Sequence, residues 1–264
     1  MSYVEIPLWR LGIAVLLVVG AVLLSRAARL GLEKDLGLGA IRAAVQLVAI
    51  GYALRFLFAA EHPAAVFAVL TVMWLLAGWT STRRLKHGPA ARDLFPYALA
   101  AVGLGSLVAL VPVFLFVIPP KPWFEARYII PISGMMLSSA MNVVALVFER
   151  LFATARAEQA TLEQYLALGA TPDQALAPYR TAALRAALIP TINGLVTVGL
   201  VALPGMMTGQ ILSGTAPEQA VRYQLVIMYQ LVAVAAVSGV AAASFARRLI
   251  FTADAQLRAL RTHE

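Results

Sequence analysis

The sequence predicts an all-α protein, a polytopic bundle of membrane-spanning helices, and three observations lead there. Of 264 residues, 61% are hydrophobic and only 13% charged, with a mean hydropathy of +0.81, well outside the balance of a water-soluble domain of this size. The apolar residues gather into runs of about 20, the length a helix needs to cross a hydrocarbon core. Lysine and arginine concentrate in alternate connections between those runs, as successive crossings require. Cysteine is absent, which excludes disulfides, thiolate metal sites and cysteine nucleophiles.

Seven runs qualify: residues 8–24, 41–57, 63–79, 95–118, 129–148, 189–212 and 221–245. The first has neither a preceding basic region nor a following small-residue cleavage site, so it is expected to remain as a span. Sixteen of the 21 basic residues fall in four groups on one side: Arg26, Arg29, Lys34 and Arg42; Arg83, Arg84, Lys86 and Arg92; Arg150, Arg156, Arg180 and Arg185; Arg247, Arg248, Arg258 and Arg261. The other side holds Arg10, Lys121, Arg127 and Arg222, while Arg55 lies within a span. The basic side is expected to be cytoplasmic, which places the N-terminus outside and the C-terminus inside a plasma (inner) membrane. Residues 1–264 read as one transmembrane domain. The net charge of +8 follows from this asymmetry and suits anionic inner-leaflet lipid, so nucleic acid is not an expected partner.

A long polar insertion, residues 150–188, separates the fifth and sixth runs. It reads as a helix stopped by Gly169, then a second helix capped by Thr171, with Pro172 in its first turn and Gln174 completing a capping box. Leu162, Tyr165, Leu166 and Gly169 share one side of the first helix, and Leu176, Tyr179, Leu184 and Leu188 form a stripe on the second. A bent amphipathic pair between two spans suits docking of a soluble partner, through Leu162, Glu163, Tyr165, Leu166, Gly169, Thr171, Pro172 and Leu176. The alternative is a pair lying on lipid headgroups.

Other residues mark a possible path through the bundle. Pro204 lacks an N–H and is followed by Gly205, Met206, Met207, Gly209 and Gln210, so a kink or break is expected in the sixth run. Irregular backbone at membrane depth needs protein or a watery cavity beside it, so this segment is a candidate wall. Met135, Ser138, Ser139, Asn142 and Glu149 share a side of the fifth run, with Gly134 and Ser138 as a small-residue pair; such a face packs a helix or lines a cavity. Arg42 and Gln46 open the second run one turn apart. Met135, Met136, Met141, Met206, Met207 and Met228 cluster in three late runs, as soft-metal ligands or as flexible core filler. No phosphate-cradling G-x-x-x-x-G-K-[ST] loop occurs, so nucleotide use through that loop is excluded, and neither G-x-S-x-G nor H-E-x-x-H occurs to support an intramembrane hydrolase.

Several segments then show a likeness. Residues 203–214 (LPGMMTGQILSG), 217–224 (PEQAVRYQ), Ile227 with Met228, 131–142 (PISGMMLSSAMN), Glu149 with Arg150, and Arg42 with Gln46 in RAAVQL resemble the FetB-type permeases of ATP-binding-cassette transporters, linked to bacterial iron export and, in plants, to aluminium tolerance. Glu163 and Gly169 sit six residues apart, as in the cytoplasmic docking loop of import permeases, although Gln164 and Tyr165 replace two alanines there and Pro190 lies too far downstream. The resemblance implies a permease subunit, two copies together, driven by a separate ATP-binding subunit that holds the ATP and magnesium; this chain would bind no cofactor. It implies a metal such as iron as cargo. An autonomous ion-coupled secondary transporter and a non-transporting scaffold remain alternatives at the level of sequence.

Overall fold

The computed structural model describes residues 7–60, 62–83, 85, 87–252, 254–258 and 261–262. Arg84 and Lys86 of the second basic group lie outside these. The chain divides into two compact units, Met1–Glu61 and His62–Glu264.

The first unit is a helical hairpin of α1 (Leu8–Ala27) and α2 (Glu33–Ala60). α1 ends on Arg29, held left-handed at φ 53°, with Arg29 N–H donating to Arg26 O and Leu30 N–H to Ser25 O. Ser25, buried, donates to Glu33 Oε1 at 3.2 Å and closes the turn. α2 begins well before the apolar run at 41–57, so Arg42 and Gln46 stand inside a helix rather than at its opening.

The second unit holds α3 (Pro63–Arg83), α4 (Ala91–Pro112), α5 (Ala126–Ala157), α6 (Gln159–Ala167), α7 (Pro172–Thr197), α8 (Gly205–Leu212) and α9 (Pro217–Ile250). α4 runs on into a π-helical turn, Val113–Val117, after Pro112 has removed a backbone donor. Val113 N–H bonds Leu110 O, and the Ala109 carbonyl receives the buried Gln230 Nε2 from α9 at 3.2 Å. A two-residue antiparallel pairing joins His87–Gly88 to Arg261–Thr262.

Small residues decide how these helices pack. α4 and α9 lie antiparallel in register: Tyr97 meets Phe245 at 5.7 Å between rings, Gly105 faces Ser238, and Ala109 meets Gln230. Ser106 and Ser238 are buried with hydroxyls that find no partner, so the contact uses their small volume, as helix pairs in lipid do. On the other flank of α4, Trp74 Nε1 donates to Leu99 O at 3.0 Å, and its ring fills the space a side chain at Gly103 would take. α5, α7 and α9 converge at Gly239, where a Cβ would lie 3.2 Å from Leu184 and 3.3 Å from Val143. Phe148 and Phe152, fully buried and stacked at 5.9 Å, complete the core near the end of α5.

Among the described residues six helices are long and apolar enough to cross a membrane: α1, α2, α3, α4 with its π turn, α5 and α9. The expected seventh, residues 189–212, is not one helix. α7 begins at the Thr171 cap and continues without interruption through both the expected second surface helix and the first half of that run, ending at Thr197. Residues 198–204 then form a tight turn, and residues 205–212 are the short α8. The break is real but starts six residues before Pro204. Likewise α5 extends to Ala157, so the expected pair of surface helices is one short helix, α6, between two long ones.

A methyl at Gly105 would collide with Ser238 Oγ and sit 3.0 Å from its Cβ and backbone N. Gly105→Ala is expected to destabilise the bundle by about 1–3 kcal/mol, seen as a lowered denaturation midpoint in detergent. Gly20→Ala, whose methyl would meet nothing within 4 Å, should leave the midpoint unchanged or raise it. An unmoved midpoint for Gly105→Ala would refute the α4–α9 contact.

Candidate functional site

Two regions bring the sequence-predicted residues together, one within the bundle and one at its end. The first is a cavity of about 830 Å³ between α5, α7, the turn after α7, and α9. α5 presents Pro131, Gly134, Met135, Ser138, Ser139, Asn142 and Leu146, residues recurring every three or four positions and therefore on one face. α7 faces them with Ala187, Pro190, Thr191, Gly194 and Thr197; Val198, Ala202 and Pro204 close one wall, and Met228 and Leu231 of α9 another. Of the predicted path residues, Ser138, Asn142 and Pro204 line it. Glu149 lies exposed on the same stripe of α5, two turns past Asn142. Met206 packs half-buried against the core, Met207 is buried, and Gln210 holds a buried Oε1 without a partner; these three are not among the lining residues. Arg42 and Gln46 are exposed on α2 of the N-terminal unit.

The methionines separate by role. Met135 and Met228 line the cavity, Met136 and Met207 are buried, and Met141 and Met206 pack against the core from its edge. The α7 wall was not identified from sequence. Its signal was present: Pro190, Thr191, Gly194 and Thr197 form a small and polar stripe at helical spacing inside an apolar run.

The turn after α7 satisfies its own backbone. Val198 N–H donates to Gly194 O, Gly199 N–H to Ala202 O, and the N–H groups of Leu200, Val201 and Ala202 all reach Thr197 O. Gly199 adopts φ 81°, which a side chain would resist. Broken backbone beside the cavity therefore leaves these five donors paired.

The second region is one end of the bundle. Gly88 packs on Phe152, the pairing of His87–Gly88 with Arg261–Thr262 brings the tail there, and Asp173 at the start of α7 accepts Arg247 Nη1 from the end of α9 at 3.1 Å, with Arg180 Nη1 at 3.9 Å. Three of the four basic groups thus converge on this face. α6 sits on it. Its stop is complete: Gly169, at φ 89°, donates to Leu166 O and Ala170 N–H to Tyr165 O, as the Schellman arrangement requires. Thr171 N–H donates to Gln174 Oε1 at 2.8 Å and Gln174 N–H to Thr171 Oγ1 at 3.3 Å, the predicted capping box. Pro172 opens α7.

The predicted docking residues divide by burial. Leu162 and Leu176 are inside the core, and Leu166 is half-buried against it. Glu163, Tyr165, Gly169 and Thr171 are exposed. Leu168, which sequence reading passed over, is 85% exposed. Tyr179, half-buried on α7 against the core, has its phenol pushed above the usual range by burial and then by the Glu158 carboxylate.

Comparison with known proteins matches the chain, over residues 8–251, to the model described as "Uncharacterised protein family (UPF0014)". The chain is 34% identical to the "Probable iron export permease protein FetB" of Escherichia coli over 247 residues, 94% of this chain and 93% of that one. It is 36% identical to the membrane protein YjkA of Bacillus subtilis, covering 94% and 97% of the two chains. The plant relative ALUMINUM SENSITIVE 3 of Arabidopsis thaliana is 34% identical, covering 93% and 88%. No solved structure matches. With that extent of agreement, and with the FetB-type and plant likenesses read from its motifs both present among the relatives, the chain belongs to the UPF0014 family of membrane proteins.

Proposed function

We propose that this protein is the permease subunit of an ATP-binding-cassette transporter of the plasma (inner) membrane, working as a homodimer that exports a metal such as iron. One observation carries the reading. α6 presents Tyr165 and Leu168 outward at the end of the bundle where basic groups converge, while its other face, through Leu162, is sealed into the core. Exposed aromatic and aliphatic residues on a firmly seated helix are what a soluble partner grips. The relative named an iron export permease supports the cargo. On this reading ATP and magnesium are held by the separate ATP-binding subunit, in keeping with the lack of a phosphate-cradling loop in this sequence.

The cavity supplies the path. Ser138 and Asn142 stand near the middle of α5, a helix of 32 residues and about 48 Å, and they are exposed on the single chain. Polar side chains at that depth are costly against lipid tails. A second copy across this face would cover them, and cargo would pass between the two. Nucleotide-driven closure of the partner would push α6, move α5 and α7, and change the cavity.

Replacing both Tyr165 and Leu168 by alanine is expected to weaken co-purification with the ATP-binding subunit by roughly tenfold or more, without lowering the denaturation midpoint of the permease, because neither side chain is in the core. Thr171→Ala should cost about 1 kcal/mol of local stability by removing the cap, with faster amide exchange in the first turn of α7. Metal transport by the purified chain in vesicles, without ATP or a partner, would overturn the reading in favour of an ion-coupled transporter.

A further inference from the structure

We infer that the α5–α7–α9 cavity takes metal only inside a net-uncharged organic chelate, and not as an aquo cation. This rests on the reading of the cavity as the transport path and adds the chemical form of what passes. The polar side chains on its wall are Ser138, Ser139, Asn142, Thr191 and Thr197; with the thioethers of Met135 and Met228 they are the lining side chains that carry donor atoms, and none carries charge. Among the described residues no three of His, Cys, Asp and Glu come together to hold a metal. The nearest carboxylate on the α5 stripe, Glu149, stands two turns beyond Asn142 and outside the lining.

A divalent or trivalent iron ion entering such a wall would lose hydration and meet neutral oxygens in return. Hard cations are held by carboxylates and retained waters, and an uncompensated charge in a weakly polar surrounding is strongly disfavoured. Two thioethers suit a soft monovalent ion, not iron in either common state. A largely apolar wall with a few hydroxyls and one amide is how small organic molecules are bound. A neutral chelate moves the charge compensation from the protein to the cargo.

The test is equilibrium retention of radioactive iron by the full chain in lipid nanodiscs. Four probes are used: the neutral ferric tris(acetohydroxamate) complex, the anionic ferric citrate complex, iron(II) in water, and metal-free acetohydroxamate carrying its own label. The neutral complex is expected to bind and the other three to be retained at background. Asn142→Leu, at a position exposed on the single chain, should weaken that binding by roughly five- to tenfold, and Ser138→Val should act in the same direction. Iron(II) binding that Asn142→Leu abolishes would overturn the inference while leaving the cavity as the path. Metal-free acetohydroxamate binding as strongly as its iron complex would overturn the inference, because the wall would then select a neutral organic molecule and not a metal chelate. Binding indifferent to both substitutions, or no binding of any probe, would overturn the inference.

Discussion

A polypeptide inside a bilayer has no water to receive its backbone hydrogen bonds, and this constraint organises the rest of the molecule. It explains why the described chain is almost wholly helical and why a break in helix needs its donors satisfied close by. The turn after α7 is the clearest case. The register between α7 and α9, from Asp173 against Arg247, Leu184 against Gly239 and Gly194 against Met228, sets Thr197 about level with Leu225, where α9 has already become apolar. A helix that stops there must resolve its free donors locally, and five successive N–H groups do so within the turn. The turn itself stands out from the single chain, with Leu200 88% and Val201 84% exposed, and only Val198, Ala202 and Pro204 of this stretch line the cavity. A cavity follows from geometry, because a turn and a short helix cannot fill the volume that a continuous helix would.

Around that opening the bundle is held by close approach. Gly78, Gly103, Gly105 and Gly239 each abut a neighbouring side chain so tightly that an added methyl would meet an atom within about 3.3 Å. Lipid tails are as apolar as leucine, so burying more leucine between helices gains little; shape matching and dispersion contacts must supply the association. The contrast between the closely packed α4–α9 seam and the open α5–α7 face is therefore meaningful. One side of the unit is specified by small residues in register, and the other carries hydroxyls and an amide beside empty volume.

Much of this was readable in the residues, and the misses have definite causes. Apolar run length located the six helices able to span, and the capping box at Thr171 with the stop at Gly169 was legible because cap chemistry is local. The end of α7 was not. Pro96, Pro112, Pro131, Pro178 and Pro190 all sit inside helices, so Pro204 could not say by itself where the chain breaks; the decisive residue is Gly199, six positions upstream of Gly205. Amphipathic spacing found that Leu162 and Leu176 belong to an apolar face but could not say what covers it. The protein's own core does, which leaves the outward surface to Tyr165 and Leu168. Asn142 and Ser138 were found because polar residues in an apolar run are conspicuous, whereas Gly194 and Thr197 opposite them are inconspicuous singly and significant only as a stripe.

The two regions are joined by covalent geometry as well as by packing. α7 starts at the capped bend beside α6 and ends at the cavity wall, an uninterrupted 26 residues and about 39 Å; α5 runs the other way, from the cavity to α6. In the proposed mechanism a displacement of α6 therefore acts on two rods at once. Side-chain contacts at Gly239 leave little slack for α5 or α7 to slide past α9, and packed interiors transmit strain instead of absorbing it. Motion that cannot be taken up as sliding must appear as tilt about that contact. Beyond it lie Asn142, Thr191 and the turn at Gly199, so a tilt changes the spacing between the α5 and α7 faces of the cavity more than it changes the α4–α9 seam. The short turn and α8, held to the bundle chiefly through α9, form the element that can follow such a change without breaking a long helix.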